Sequence, residues 1–417
     1  MSVLLQPIVL NEKKSKSAEL IAQLEKVPLG RMYQASFKAV VRLHLYFTGR
    51  THELFLNFTK EAKAIIMDQA GKDQVLDGSS GFAAQSEILK AWGDTFNVWR
   101  GELERARIEA ASIPFGVMAV AHERLVMPAI SDQRLAESEG LKAKSQELIA
   151  ESVQDGVFSP QLSVLLNAAS EHLYGDSLNL SARIWNIDRE ARDGINAVLM
   201  QGIANSDSAW NVAKKLEEYL GTDADCPRWT TTRLYGLTKT DIARGDTTGL
   251  LTNPKGLMKG SLAWASEDNP CSSRGVSYNA LRLARTEIQK AHALATDKIL
   301  ASQPWVENEQ INTSPSHGEP DECDEVAKGG EKNDGVYPVG TIELPLHPNC
   351  LCFKTAVLMD EKAFTDGLRG WMDGSQPWSE MDAYERMIGG DVNQSILPNA
   401  INLAVWLFGE NLEKWLQ

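Results

Sequence analysis

The sequence predicts a mainly α protein in which a multi-helix N-terminal region precedes a smaller α+β, loop-rich C-terminal domain with a candidate zinc staple. Three observations carry that prediction. From Lys13 to about Gly249, apolar residues recur at helical spacing nearly throughout. Beyond Ala301 the texture changes to a long stretch rich in Pro, Gly, Asp and Glu. Within that stretch stand Cys323, His347, Cys350 and Cys352, side chains of the kinds that hold structural zinc. With 417 residues, 43% of them hydrophobic and 24% charged, the chain has the length for two or three domains.

The elements follow in order. Leu20, Leu24 and Val27 begin one apolar stripe, and Phe37, Val40, Val41 and Leu45 form another, with Pro28 and Gly30 expected to break the helix between them. A loop is expected at Gly71 to Phe82, where Asp77-Gly78-Ser79-Ser80-Gly81 favours neither regular structure. Ser208 to Leu220 reads as an amphipathic helix capped by Asp207 or Ser208, with Trp210, Ala213, Leu216 and Leu220 on one face. After polar loops at Gly221 to Pro227 and Ser266 to Gly275, a long helix is expected from Ser277 to Leu300. Leu281, Ala284, Ile288, Ala291 and Ala295 give it a small-residue stripe suited to close packing. Arg285 and Glu287 are two apart, cannot pair on one helix, and read as surface charges. The tail from Asp360 returns to short helical patterns, with Trp371, Trp378, Trp406 and Trp415 as anchors that close the chain's own core or dock on a neighbour. These readings divide the chain into a basic helical region (1–66), a helical domain (67–270), a domain with the Cys/His loop (271–358) and an acidic, Trp-rich tail (359–417).

Charge and cysteine content narrow the function. The net charge of −14 repels a phosphate backbone and argues against a general nucleic-acid coat. The charge is uneven, net +5 over residues 1–66 and −13 over 302–417, so any DNA contact is expected in the first segment, at Lys13, Lys14 and Lys16. Five scattered cysteines are unlike a secreted disulfide framework and fit a reducing cytoplasm. No run reaches the roughly 18 to 20 apolar residues of a membrane span, so a soluble, unsecreted protein without a membrane partner is expected.

Cys323, His347, Cys350 and Cys352 supply the four soft or borderline ligands of a structural zinc site, with His317 and Asp321 in reserve. A loop-rich segment gains most from such a staple. The spacing lacks paired C-x-x-C knuckles, and the competing reading is a set of buried reduced thiols beside a packed histidine.

The combination of Ala284-Arg285-Thr286-Glu287, His317 through Cys323-Asp324, Gly335-Val336-Tyr337-Pro338 and His347-Pro348-Asn349-Cys350-Leu351-Cys352 resembles the phage Mu F-like head morphogenesis family. The resemblance covers roughly residues 190–357. In that family the last motif reads His-Pro-x-Cys-Arg-Cys, so Leu351 stands where arginine is usual. The resemblance implies a minor head protein of a tailed bacteriophage, present in the virion after assembly in the host cytoplasm. It further implies few copies near the portal vertex, with the portal or the major capsid protein as partner and DNA contacted or accompanied. Two other classes compete. One is a zinc-dependent hydrolase or nuclease using Glu319, Asp321 or His347. The other is a regulatory DNA-binding protein. Against catalysis, four protein ligands close a zinc shell, and no phosphate loop, H-E-x-x-H helix or G-x-S-x-G turn occurs, so no enzyme activity is expected.

Overall fold

The computed structural model describes residues 29–70, 74–134, 159–171, 177–221, 276–314, 321–347 and 350–388. The elements are α1 (Leu29–Ala70), α2 (Gly78–Arg134), α3 (Ser159–Glu171), α4 (Leu180–Ala204), α5 (Ala209–Leu220), α6 (Val276–Ser302), β1 (Val306–Asn312), α7 (Glu322–Ala327), β2 (Val336–Tyr337), β3 (Phe353–Leu358), α8 (Glu361–Met372) and α9 (Ser379–Ile388). The described protein is mainly helical, with one small antiparallel sheet in its C-terminal part.

α1 and α2 form an antiparallel pair, because partners ascend one helix as they descend the other. Phe47 meets Trp99 with ring centroids 6.3 Å apart, Phe58 meets Trp92 at 5.3 Å, and Gln69 lies against Glu87. Trp92, Phe96 and Trp99 stack in succession along α2, at 5.4 and 5.3 Å. Rings of this size, fully withdrawn from water, dominate the apolar burial of the helical body.

α1 runs unbroken from Leu29, with Gly30 inside its first turn; the expected break at that glycine does not occur, and Pro28 lies outside the described residues. One glycine in a 42-residue helix costs only about 1 kcal/mol, which the packing against α2 offsets. The position 66/67 lies inside α1, where Ile66 and Ala70 are buried in the shared core. The expected loop at Gly71 to Phe82 is likewise shorter. α2 starts at Gly78, capped by Asp77, whose carboxylate accepts from the Ser79 and Ser80 amides at 2.9 and 2.7 Å. Those caps hold the Asp77 carboxyl down at about 2. Gly81 has a packing reason: a Cβ there would meet Ile203 Cδ1 of α4 at 2.2 Å.

α5 forms as its spacing predicts, with Ser208 as N-cap. Its buried face is Ala209, Val212, Ala213, Leu216 and Leu220, whereas Trp210 is 62% exposed and lies near the Lys63 ammonium at 5.5 Å. The expectation that Trp210 shares the buried face is therefore corrected. The small side chains of Ala209 and Ala213 bring α5 close to its neighbours, and the wide indole points out.

α6 is the axis of the molecule. Its stripe of Leu281, Ala284, Ile288, Ala291 and Ala295 is buried as expected, and so are Ser277, Thr286, Glu287, Gln289, Lys290 and His292. Glu287 is not a surface charge. It is fully buried, 3.9 Å from Arg107 of α2, which is itself buried and bonds to Glu104 at 2.7 Å and Ser170 at 2.9 Å. Arg285 is half-buried. A helix enclosed on several sides leaves Glu287 no solvent, and its counter-charge comes from another element, Arg107 of α2.

The sheet runs β2-β1-β3, antiparallel, with Glu309 opposite Tyr337 on one side and Ala356 on the other, and a bulge between Val306 and Asn308. Glu309 and Lys354 are buried and paired at 3.0 Å, and Lys354 also reaches Asp297 of α6 at 2.5 Å. The Glu309 carboxylate further accepts from the Gly340 and Ile342 amides at 3.0 and 3.1 Å, tying that turn to the sheet. α8 and α9 close the same core as the helices. Trp305 packs edge-on against Phe364 and Tyr384, the Tyr384 hydroxyl lies 2.9 Å from His122 Nδ1, and Trp378 packs on Phe364. Trp371 and Trp378 thus serve the chain's own core, while Trp406 and Trp415 lie outside the described residues, as does the boundary at 270/271. Among the described residues no helix is long and apolar enough to cross a membrane.

Candidate metal centre

The site is assembled from three segments that the sheet and α6 hold together. The first is α7. Asp321 caps it with a capping box, its Oδ1 accepting from the Cys323 amide at 2.7 Å, which fixes where Cys323 stands. The second is the return to β2. The Tyr337 hydroxyl donates to the Val326 carbonyl of α7 at 2.8 Å. Gly335 adopts φ +72, and a Cβ there would meet the Ala327 carbonyl oxygen at 2.5 Å and that of Ile311 at 2.9 Å, so the chain passes only as glycine. The third is the turn from His347 into β3. The Cys350 amide donates to the His347 carbonyl at 3.1 Å, and the Cys352 carbonyl accepts from the Gln289 amide group of α6 at 2.9 Å.

Together these place Cys323 Sγ 3.3 Å from His347 Nε2 and 3.6 Å from Cys350 Sγ. Cys323, His347 and Cys350 form a group whose ligand atoms all lie within 4.8 Å of one another, and this group could bind a metal ion. For a tetrahedral ion with metal–sulfur bonds near 2.3 Å and metal–nitrogen bonds near 2.0 Å, neighbouring ligands are separated by about 3.5 to 3.8 Å. The observed spacings fall close to that, so the residues fit such an ion. Cys352 is buried in the same small cluster with Cys323, Cys350, Ala293 and Leu344, beside the three-residue group that could hold a metal but not counted in it. Asp321 Oδ2 lies 3.1 Å from His347 Nε2, on the same ring nitrogen that faces Cys323. His317 and Glu319 lie outside the described residues, as do Lys13, Lys14 and Lys16.

The electrostatics favour a positive guest. Hydrogen bonds from Cys323, then Cys352, draw the Cys350 thiol far below the ordinary thiol range in spite of its burial, with His347 adding to the effect. The bond with Cys350 pushes Cys323 the other way, upward, and burial adds to it. Cys352 is pulled down by Cys323 but pushed up further by Cys350 and by burial, to about 12. Cys350 is thus the sulfur most readily held as the thiolate, the form in which cysteine binds metal. The three cysteines are free of disulfides.

Residue type alone picks out the thiols and the histidine. Gln289, Glu309 and Lys354, which hold the site's frame, carry no such local signal, because their partners lie 63, 33 and 12 residues away in the chain. Comparison of the chain with family models, curated proteins and solved structures gave no match to any of them.

Proposed function

We propose that the protein is a structural minor head protein of a tailed bacteriophage, acting in head assembly near the portal vertex. Its C-terminal lobe is held by a structural zinc ion on Cys323, His347, Cys350 and Cys352. The observation that supports this reading is the convergence of Cys323, His347 and Cys350, from segments far apart in the sequence, on one centre. Thr286 and Glu287 are buried on α6, one turn from the Gln289 that bonds the Cys352 carbonyl; Cys323 stands on α7; Tyr337 bonds α7; and His347, Cys350 and Cys352 close the cluster. These are the motifs whose order resembles the head morphogenesis family. Cys352, buried beside that three-residue group, is the candidate fourth ligand, and the ion would then cross-link α7 to the strand entering the sheet.

The geometry at His347 argues against a relay of nucleophile, histidine and acid. Cys323 and Asp321 approach the same nitrogen, Nε2, whereas a nucleophile–histidine–acid relay needs them on opposite ring nitrogens. The portal or the major capsid protein is the expected partner, with any DNA contact through the basic first 66 residues, including Lys13, Lys14 and Lys16. Mass spectrometry of purified particles and of isolated portal complexes tests the assignment. Recovery of the protein at a few copies per particle is expected, and its absence from particles and portal complexes alike would sink it. Elemental analysis of the purified protein tests the ion, with about one zinc per chain expected.

A further inference from the structure

We infer that the metal centre doubles as an oxidative lock, in which Cys323 and Cys350 join in a disulfide and release the ion. The inference rests on the proposed metal site and virion location for its setting, but its chemistry rests on the sulfurs themselves. Cys323 Sγ and Cys350 Sγ are 3.6 Å apart, and a disulfide needs about 2.05 Å, a closure within reach of side-chain rotation. No cysteine of the cluster is more than 2% exposed, yet the rim is partly open, with the His347 and Asp321 side chains 30% and 37% exposed. The partly exposed imidazole and carboxylate are the side from which a small peroxide would approach. Cys350 pairs with Cys323 rather than with Cys352, because bridging two cysteines one residue apart would force a strained ring.

The reaction balances with a hydroperoxide as oxidant. One thiolate attacks a peroxide oxygen, breaking the O–O bond to give a sulfenic acid and, with hydrogen peroxide, water. The second thiolate displaces the sulfenic hydroxyl, which leaves as a second water once protonated, and the S–S bond forms. Two sulfurs lose one electron each and the peroxide gains two. The disulfide itself ties α7 to the residues entering β3, so the segment between them stays closed after the ion has left. A protein assembled in a reducing cytoplasm and released in a particle into an oxidising medium meets these two states in turn.

The test uses the full-length protein, purified under reductant, moved to reductant-free buffer and treated with hydrogen peroxide at small molar excess. Free thiols are then alkylated and the protein digested for mass spectrometry, while a chromophoric chelator follows metal release. The expected result is a Cys323–Cys350 cross-linked peptide, one ion released per cross-link, and reversal by dithiothreitol. Alkylation of both thiols after the peroxide is consumed, sulfinic acid at either position, or cross-links through Cys226, Cys271 or Cys352 instead would overturn the inference. Protein that arrives without metal and still forms the cross-link supports the disulfide and defeats the zinc reading. Protein that holds metal and never cross-links does the reverse.

Discussion

The helical body and the C-terminal lobe solve the same problem with different means. Around Trp92, Phe96 and Trp99 the body removes large aromatic surface from water along two helices. Among the described residues, the lobe's own apolar cluster is Ala293, Cys323, Leu344, Cys350 and Cys352, with Ile342 and Leu346 packed against it. What the lobe lacks in area it replaces with discrete ties: the capped α7, the Tyr337–Val326 bond, the Glu309–Lys354–Asp297 ion cluster and the thiol–imidazole group. Area-driven stability is spread over many side chains, whereas tie-driven stability is concentrated in a few. The lobe should therefore fail one tie at a time.

The largest contrast is expected on stripping metal. With zinc bound, chelation should remove hydrogen-exchange protection from residues 321–347 and 350–358 while α1 and α2 keep theirs; equal loss in both regions would erase the distinction. In the body, Trp92→Ala should cost about 3 to 5 kcal/mol of stability, read from the denaturant midpoint. In the lobe, Lys354→Met leaves the buried Glu309 carboxylate without its counter-charge and should cost about 3 kcal/mol. Replacing Glu309 by leucine in the same chain should recover much of that loss, and no recovery would mean that the Glu309 bonds to the 340–342 turn matter more than the charge pair.

The smallest effect per residue is one of pH, and it belongs to the body. His44 and His292 are fully buried and burial lowers each to about 3; for His44 the nearby Arg285 charge adds to the lowering. The unfolded chain takes up protons at these sites below its ordinary value near 6.5, while the folded protein does not until about pH 3. Stability is therefore fully present above pH 6.5 and lost progressively as pH falls toward 3, by about 1.4 kcal/mol per histidine at pH 5.5. Denaturant midpoints measured from pH 7.5 to 5 should fall accordingly, and His44→Gln combined with His292→Gln should flatten the dependence.

Local signals in the sequence go far for α5 and α6, where capping and apolar spacing coincide with what packs. They mislead where a neighbour decides. Gly78 to Gly81 looks like loop chemistry, yet Gly81 is small because Ile203 must approach a helix at that point. Glu287 looks solvent-facing because its counter-charge, Arg107, is 180 residues earlier in the chain. Trp210 lies near the apolar stripe but on the outer side of a face already filled by Val212 and Leu216. The metal centre was visible through residue type, because few side chains can do that work. Its supports, Gln289 and Glu309, were not, since glutamine and glutamate are ordinary residues until a distant backbone amide or carbonyl meets them.

Phe353 follows Cys352 directly and stacks on Phe37 of α1, ring centroids 4.0 Å apart. The strand that follows the two thiols is thus pressed against α1, while Gln289 of α6 grips the preceding carbonyl. In mechanical terms Cys352 sits between two grips, so a displacement of α1 would reach the thiol cluster through one aromatic contact.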